Sequence, residues 1–548
     1  MPAGRTVCIV GGGVAGFTAA HELAERGFRV TVYEANSTPG GKARSMDVPG
    51  TGTGGRSPLP GEHGFRFFPA FYKHIPDTMR RIPCPGGTTD RHLLNTHEIE
   101  VRRENQPPVE LNASFPNTLE EWKRMFRLRY AKIGVPGHEI EHFIGRMVYF
   151  LGACEARRQS EIENQTWWDF IGASTRSDAY KLFLAIGLTR TLTAMRPTEA
   201  SARTVAMILV QLIFPFFDPA AEPDRILDGP TNEVWFDPWL THLQHLGVTV
   251  VFHAPAQGLR VSGGRISGVD VTIAGTPQVV TADQYVVAVP VEVMTRWLAA
   301  TPELGVLDPS LAGIATQATE WMTGIQFYLN RPLTFSTGHT IYINSAWAVT
   351  SIAQGQFWKD YPLANYGDGT VKEILSVDVS DWEKPSRRTR ADASGRTVPR
   401  VARECTRDEL IAEVWAQLEE HINYPGSPDT VSWSDVIAVH VDPAIQFQPA
   451  GGNSVNDTPL LVNLPGSFSQ RPKAATAIPN LFLAADYVQT YTDLACMEAA
   501  SEAARRAVNG ILDRTGVAAT RARVFPFKEP GIFLPIKAID RIRFALGW

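Results

Sequence analysis

The chain has 548 residues, of which 44% are hydrophobic and 20% are charged, and its formal net charge is −5. This length exceeds what one hydrophobic core usually supports, so we expect about two to four folding units. The charge balance and the lack of a basic run with interleaved aromatics exclude nucleic acid as an expected partner. The five cysteines are scattered without a C-x-x-C pair, so we expect no metal site, no disulfide framework and a cytoplasmic location.

The first predicted unit is a strand, a glycine turn, a helix and a second strand, at residues 7–34. Gly11, Gly13 and Gly16 form the pattern G-x-G-x-x-G. The first glycine allows a tight turn, the second lets the backbone approach a pyrophosphate, and the third lets helix and strand pack closely. Glu34 ends the second strand, where an acid can accept hydrogen bonds from a ribose. We therefore predict a dinucleotide site that also includes the turn residues Val14 and Ala15.

A glycine pair and two cations follow Glu34 within ten residues, in the sequence STPGGKARS at residues 37–45. Glycines let backbone amides face phosphate oxygens, and cations balance the phosphate charge. The segment resembles the G-G-[RK]-x-x-[ST] element of the amine oxidase and phytoene desaturase superfamily of flavoproteins. In that family the element wraps the far side of the FAD pyrophosphate. The resemblance implies bound FAD, held here by Ala35, Gly40, Gly41, Lys42, Ala43 and Arg44.

The segment GEHGFRFFPAFYKH, residues 61–74, also resembles this family. Family members carry an acid, a glycine and a His or Arg before aromatic residues, close to the flavin ring. The resemblance places Gly64, Phe65 and Arg66 beside the flavin. His63 is a candidate acid or base because the ordinary pKa of histidine is near neutral. A structural or solvent-facing role for His63 stays open, and Arg66 and His63 are the two candidate catalytic residues.

Two long insertions are expected to form the substrate-binding part. The first is helical by pattern, with a capping box at residues 118–121, and contains the apolar run TVAMILVQLIFPFF at residues 204–217. That run is too short to span a bilayer, and it predicts either a buried helix or the wall of a lipid-like pocket. The second insertion predicts a strand at residues 324–330 and a capped helix at residues 406–421. Its polar run at residues 383–400 predicts an exposed loop.

The rest of the nucleotide unit is predicted from two later stretches. Residues 247–271 alternate like two strands joined at Gly263 and Gly264. In the family, a backbone pair near the start of this hairpin contacts adenine, which corresponds here to Pro255 and Ala256. Residues 282–298 resemble the strand by which the family's chain re-enters the nucleotide domain.

Near the other end, residues 478–512 predict a strand, a loop and a long helix. They resemble the C-terminal flavin motif of carotenoid desaturases. The resemblance implies that Asp486 contacts the ribityl or pyrophosphate region of FAD, and that Met497 opens a helix directed at the flavin N1–C2 carbonyl edge. Ala485 and Ala499 replace glycines of the family pattern. No cysteine stands where amine oxidases tether their flavin, so we expect noncovalent FAD.

The resemblance covers nearly the whole chain and implies an α/β fold. A Rossmann-like FAD-binding domain is expected from residues 1–89, 225–300 and 438–515, with an inserted α+β substrate-binding domain from residues 90–224 and 301–437. Carotenoid desaturase-like and hydroxysqualene dehydroxylase-like flavoproteins resemble the chain most. They imply hydride transfer from a hydrophobic, isoprenoid- or carotenoid-like small molecule to flavin N5. Amine oxidation, dehydroxylation of an isoprenoid alcohol and a non-catalytic prenyl-binding carrier stay open as alternatives.

The tail, residues 516–548, mixes large apolar residues with lysines and arginines. Ile536, Ile539, Ile542 and Leu546 recur at helical spacing. This pattern is typical of an interfacial membrane helix, and equally of a terminal helix that docks on the protein body. Peripheral membrane contact through this tail and docking on the body are the two alternatives.

Overall fold

A computed structural model describes residues 5–96, 99–110, 134–213, 222–334, 336–392, 394–448 and 452–548. The predicted capping box at residues 118–121 and the end of the apolar run at residues 214–217 lie outside the described residues. The strands of the two largest sheets are, in chain order, β1 (Thr6–Val10), β2 (Arg29–Tyr33), β3 (Ile99–Arg103), β4 (Gln106–Glu110), β5 (Thr249–Val251), β6 (Gln284–Val287), β7 (Thr323–Leu329), β8 (His339–Tyr342), β9 (Val349–Ala353), β10 (Glu373–Val379), β11 (Val436–Val441) and β12 (Leu481–Leu483).

We label nine helices, which belong to the two sheet layers, the helical region and the C-terminal tail. They are α1 (Val14–Glu25), α2 (His74–Met79), α3 (Gly137–Gly152), α4 (Ala202–Ile213), α5 (Asp237–His245), α6 (Val291–Ala300), α7 (Arg407–Ile422), α8 (Met497–Thr515) and α9 (Leu534–Ala545).

A five-stranded parallel sheet in the order β5-β2-β1-β6-β12 forms the centre of the nucleotide unit. Its middle strands are short apolar runs that are buried on both faces, as parallel strands usually are. Tyr33, Val10, Val287 and Leu483 stand in one row across the sheet. Because all five strands are parallel, the loops that follow these residues meet at a single edge. The first and last of the loops come from opposite ends of the chain.

Helices α1 and α8 pack together against this sheet. The Thr18 hydroxyl donates a hydrogen bond to the Ser501 hydroxyl over 3.2 Å, where the two helices touch. A three-stranded antiparallel unit, residues 256–262, 265–273 and 276–280, shares their hydrophobic core. Its first turn pairs Ser262 with Arg265, which confirms the hairpin predicted at Gly263 and Gly264.

A seven-stranded sheet in the order β4-β3-β8-β9-β10-β7-β11 forms the second layer. Its neighbouring strands are antiparallel except for the parallel pair β3 and β8. Helix α7 covers one face with Leu410, Val414 and Leu418. The predicted strand at residues 324–330 corresponds to β7. The predicted capped helix is α7, whose first turn is closed by reciprocal hydrogen bonds between Thr406 and Glu409.

The second insertion differs from the prediction at its polar run. Residues 385–391 and 397–401 form an antiparallel hairpin and not a loop. The inward positions of its first strand are Ser386, Arg388 and Arg390, so that strand carried no hydrophobic signal. Arg388 pairs with Glu413 and Glu420, and Arg390 pairs with Glu404.

The predicted domain limits stay a prediction. One of them, at residue 438, does not coincide with the end of a strand. This limit falls inside β11, which pairs with β7 in the seven-stranded sheet. Residues 134–213 form a helical region with its own core, which includes Phe143, Trp167 and Leu184. Helix α4 is buried over residues 202–211, which agrees with the buried helix, one of the two alternatives predicted for the apolar run. None of the helices in the described ranges is long and apolar enough to cross a bilayer.

Candidate functional site

The glycine turn after β1 has the geometry that the sequence pattern predicts. Gly11 has a φ of +102°, and its amide donates to the Tyr33 carbonyl over 2.9 Å. A Cβ on Gly16 would lie 1.8 Å from the Gly11 carbonyl oxygen. Only glycine at position 16 therefore lets α1 start this close to β1. Val14 and Ala15 form the buried first turn of α1, whose amides point along the helix axis to the sheet edge.

The glycine pair of residues 40 and 41 folds back onto this turn. Both glycines have positive φ, +115° and +57°. The Gly40 amide donates to the Gly12 carbonyl over 3.0 Å, and a Cβ on Gly41 would lie 3.2 Å from Gly13 Cα. The two glycine elements thus form one bare-backbone surface, although about two dozen residues of helix and strand separate them in sequence.

Glu34 joins the turn to the opposite side of the site. Its buried carboxylate accepts hydrogen bonds from the Gly12 amide over 2.6 Å and from the Asn36 amide over 2.8 Å. Its carbonyl accepts from the Ala254 amide over 2.8 Å. Pro255 and Ala256 follow directly. The structure therefore brings Glu34, the exposed Ala35 and the predicted adenine-contacting pair together at one end of the sheet edge.

The cations of the glycine segment are not both free to face a phosphate. Nζ of Lys42 lies 3.4 Å from a carboxylate oxygen of Glu292 at the start of α6. Nη1 of Arg44 donates to the Gly41 carbonyl over 2.7 Å. Ala43 is buried in the short turn between them. The Arg44 side chain therefore stabilises the backbone of the glycine pair. The Lys42 side chain is directed toward the loop after β6.

The C-terminal residues Asp486 and Met497 reach the same edge from the other end of the chain. Asp486 follows β12 and is half-buried, and its carboxylate has no hydrogen-bond or ion-pair partner within the described residues. Met497 is the first residue of α8. The next residue, Glu498, is buried and accepts hydrogen bonds from the backbone amides of residues 73–75. This carboxylate holds the start of α8 against α2.

Residues 61–66 lie where the two large sheets meet. The Gly324 amide of β7 donates to the His63 carbonyl over 3.1 Å, and a Cβ on Gly324 would lie 2.7 Å from Gly64 Cα. A Cβ on Gly64 would lie 2.8 Å from Oδ1 of Asp378 in β10. Phe65 packs against the His339 ring. The segment is therefore pressed between the nucleotide unit and the seven-stranded sheet.

His63 and Asp442 form a buried pair in this segment. Nδ1 of His63 lies 2.5 Å from Oδ2 of Asp442, but the angle between the two groups is not that of a hydrogen bond. Burial lowers the pKa of His63, although Asp442 acts in the opposite direction. Burial alone would raise the pKa of Asp442, but His63 and the Ala444 amide bring it below its ordinary value. A neutral imidazole beside a carboxylate accounts for both directions.

Two further carboxyl groups of this cluster have raised pKa values. Burial raises the pKa of Glu62 to about 7, partly offset by Arg66 and by hydrogen bonds from Thr231. Burial likewise raises the pKa of Asp378 to about 7, offset in part by Arg66. Nε of Arg66 lies 3.7 Å from Glu62 and has no hydrogen-bond partner within the described part of the chain.

A small cavity opens beside Glu62 and Arg66. Its other walls include the aliphatic side chains of Ile226, Leu227 and Ile352. Thr231 and Gln354 complete the lining together with Gly229, so the wall mixes polar and aliphatic groups. The cavity has room for about one water molecule, so it marks a point beside the Glu62 carboxyl group and is not a substrate-sized pocket.

Sequence reasoning missed several residues that hold the site. Asn232 accepts a hydrogen bond from the Ser45 amide over 2.8 Å and donates to the Pro39 carbonyl, so it clamps the glycine segment. Asp378, Asp442 and Glu292 come from three distant parts of the chain. The sequence singles out none of the four as a site residue, although Glu292 lies in the stretch of residues 282–298 that resembles the family. Asp378 lies within a strand, Asp442 follows a strand and Asn232 opens a helical turn, and no local pattern marks any of the three.

These residues fit a flavin nucleotide on structural grounds. The sheet edge offers two glycine elements in which added Cβ atoms would meet backbone, the unpartnered carboxylate of Asp486, and the start of α8. Backbone amides at such positions bind phosphate oxygens. A helix start stabilises negative charge on a bound ring. The Gly11, Gly40, Asp486 and Met497 regions lie on this one edge, as the predicted contacts require.

The comparisons with known proteins agree in family and fold. The model of the family described as "Flavin containing amine oxidoreductase" matches residues 14–512. A 15-cis-phytoene desaturase of Synechococcus elongatus is 22% identical over 93% of this chain and 96% of its own length. A carotenoid phi-ring synthase of Streptomyces griseus is 24% identical over 94% of this chain and 91% of its own. Cyclohexylamine oxidase from Brevibacterium oxydans superposes with a TM-score of 0.60 at 13% identity, over 93% of this chain and 99% of that one.

Proposed function

The chain belongs to the flavin-containing amine oxidoreductase family, and from this premise we propose that it is an FAD-dependent enzyme that dehydrogenates a hydrophobic, isoprenoid- or carotenoid-like substrate. Membership makes it a flavin oxidoreductase. The observation that carries the substrate proposal is similarity over nearly the full length to two carotenoid enzymes.

We propose FAD as the flavin because the residues for a dinucleotide are in place. Glu34, Pro255 and Ala256 would hold the adenosine, and the amides at residues 11–16 and 40–41 would hold the pyrophosphate. Asp486 would contact the ribityl region. We propose noncovalent binding, because burial raises the pKa of the Cys496 thiol beside the start of α8 to about 12. A protonated thiol is a poor nucleophile for a tether.

Dehydrogenation removes a hydride and a proton from adjacent carbon atoms. The flavin, when bound, supplies the hydride acceptor for such a reaction. Glu62 lines the cavity, and its pKa of about 7 leaves it partly ionised at neutral pH, so its carboxylate can take the proton. Arg66 would orient Glu62. His63, held by Asp442, would position the segment and not touch the substrate.

Oxidation of an amine is the second candidate. Three buried carboxyl groups, of Glu62, Asp378 and Asp442, surround the 61–66 segment. A carboxylate cluster of this kind attracts an ammonium group. The raised pKa of Glu62 and Asp378 weakens that attraction at neutral pH.

The purified holoenzyme separates the two candidates. We would mix it anaerobically with carotenoid precursors in detergent micelles, and separately with primary and secondary amines, while recording the visible flavin absorption. Bleaching by a carotenoid precursor and not by amines is the expected result. Bleaching by amines alone would replace the proposal with the second candidate. Bleaching by neither would refute both substrate classes.

We also propose a cytoplasmic location. All five cysteines are free thiols in the structure, which suits a reducing compartment.

A further inference from the structure

The C-terminal helix α9 carries its large apolar side chains on the outside of the protein. Of the fifteen strongly exposed large hydrophobic side chains among the described residues, seven lie between residues 532 and 548. This outer face consists of Ile532, Leu534, Ile536, Ile539, Ile542, Leu546 and Trp548, with exposed fractions between 48% and 77%. The residues that sequence analysis singled out for their helical spacing are thus the ones that face solvent.

The opposite side of the tail is fastened to the body by polar contacts. The Asp540 carboxylate accepts hydrogen bonds from the Cys154 amide over 2.8 Å and from Nε of Arg157 over 3.0 Å. Glu529 bridges Nζ of Lys537 and the buried Arg158. Turning the apolar face inward would break these pairs and leave Arg158 buried without its partner. The outward orientation of the apolar side chains is therefore fixed by the body contacts.

The apolar face extends beyond the tail onto α3. A Cβ on Gly152 would lie 2.9 Å from Cγ2 of Ile536, so the two helices touch at this point. Val148 and Tyr149 stand one turn earlier on α3 and are also exposed. Together with the seven tail residues they form one surface, which we call the tail face.

Positive charge borders the tail face. Arg541 and Arg543 are exposed, and neither forms an ion pair within the described part of the chain. Residues 516–548 contain six lysines and arginines against two acids, a side-chain charge of +4 in a chain whose net charge is −5. Apolar side chains bordered by cations, with a tryptophan at the end, match the interface of an anionic lipid bilayer.

We propose that the tail face binds the surface of an anionic lipid bilayer, with α9 lying in the plane of the interface. At twelve residues α9 is too short to cross a bilayer, so the apolar side chains enter only the headgroup and upper acyl region. Arg541 and Arg543 contact the lipid phosphates. The body of the protein stays outside the bilayer, because it is attached to the polar side of the tail, opposite the tail face.

Vesicle flotation of the full-length holoenzyme tests this proposal. The vesicles are equimolar phosphatidylcholine and phosphatidylglycerol, compared with phosphatidylcholine alone. The test variant is Ile539→Glu with Ile542→Glu, on the tail face. The matched control is Val279→Glu with Val306→Glu. It adds the same charge at two exposed apolar side chains that lie outside the tail face. Flavin content and melting temperature of both variants establish that they fold.

We expect wild type and control to float with the anionic vesicles, and the Ile539→Glu, Ile542→Glu variant to lose binding by about tenfold or more. Replacing Arg541 and Arg543 by glutamine should reduce flotation with anionic vesicles only. No flotation of wild type, or equal loss in both glutamate variants, would overturn the proposal. A concentration-dependent dimer that only the isoleucine variant abolishes, without flotation, would assign the tail face to a second copy of the chain.

Discussion

At the residue scale, different partners give three buried acids different properties. Glu34 is buried, and its side chain accepts hydrogen bonds from the Gly12 and Asn36 amides. Such bonds are stronger to an ionised carboxylate than to a neutral acceptor. Asp442 is buried beside His63, and its pKa is lowered. Glu62 is buried with hydrogen bonds from Thr231 alone, and its pKa is raised to about 7. The same side-chain chemistry can therefore bind a ribose, hold a histidine or exchange a proton.

Replacing Glu34 by glutamine should weaken FAD binding. The change removes the charge that holds the Gly12 amide and faces the predicted ribose. We expect the dissociation constant of FAD to rise about tenfold, or about 1.4 kcal/mol, measured by flavin fluorescence on adding FAD to apoprotein. The control is Asn36→Ala, which removes a donor to Glu34 and keeps the carboxylate. Unchanged FAD affinity in Glu34→Gln, or an equal loss in the control, would contradict the assigned role.

The raised pKa of Glu62 predicts a specific pH dependence of stability. The folded protein keeps Glu62 protonated up to about pH 7, whereas an unfolded chain releases this proton near the ordinary value of 4.5. The free energy of unfolding therefore falls as pH rises through this window. Glu62→Gln removes the effect, so its advantage over wild type should grow by about 2–3 kcal/mol between pH 5 and pH 8. Urea unfolding at both pH values measures this difference.

The pH dependence of flavin reduction tests the catalytic part of the same assignment. Burial raises the pKa of Glu163 to about 7 as well, but Glu163 does not line the cavity. Glu163→Gln should therefore leave the inflection of the reduction rate near pH 7 in place, and Glu62→Gln should remove it. A rate profile that neither variant changes would exclude Glu62 as the proton acceptor.

At the element scale, the two glycine elements build the nucleotide edge because backbone packs on backbone there. An added methyl group at Gly16 would overlap the Gly11 carbonyl and push α1 away from β1. Gly16→Ala should therefore abolish flavin retention during purification and lower the melting temperature. Gly145→Ala is the control: Gly145 lies within α3 and a Cβ there meets nothing within 4 Å. This control should stabilise the protein by about 0.5–1 kcal/mol. Normal flavin content in Gly16→Ala would contradict the account.

The sequence predicted those elements whose signals are local. The glycine turn, Glu34, the glycine pair and the start of α8 are each read from a short stretch of chain. The hairpin at residues 385–401 could not be predicted, because arginine ion pairs replace the apolar alternation that marks a strand. Asp378 and Asp442 could not be assigned either, because β10 and the end of β11 reach residues 61–66 only through the pairing of the seven-stranded sheet. Local pattern contains no information on which distant strand end will face a given loop.

At the scale of the whole molecule, Asp493 links the C-terminal loop to the helical region. Its buried carboxylate pairs with Arg203 at the start of α4 over 2.8 Å and with Arg471 over 3.1 Å. It also accepts a hydrogen bond from Thr204. The loop that leads to Met497 is thereby tied to the helical region of residues 134–213.

Asp493→Asn should destabilise the whole protein, because among the described residues it leaves the buried Arg471 without an acid partner and Arg203 paired only with the exposed Glu155. We expect a loss of about 3 kcal/mol, seen as a lower urea midpoint by tryptophan fluorescence and by flavin release together. Asp513→Asn is the matched control, since Asp513 pairs with Arg521 on the exposed surface and should change the stability by less than about 1 kcal/mol. Equal shifts of the urea midpoint in the two variants would show that Asp493 does not link the regions.

The most direct test of the account is the mass of the product after a single anaerobic turnover. The holoenzyme is mixed with a carotenoid precursor in micelles, flavin bleaching is followed, and the extracted pigment is analysed by mass spectrometry. We expect the flavin to bleach and the product to have lost two hydrogen atoms and gained one double bond. An unchanged precursor beside flavin that is reduced by amines would contradict it.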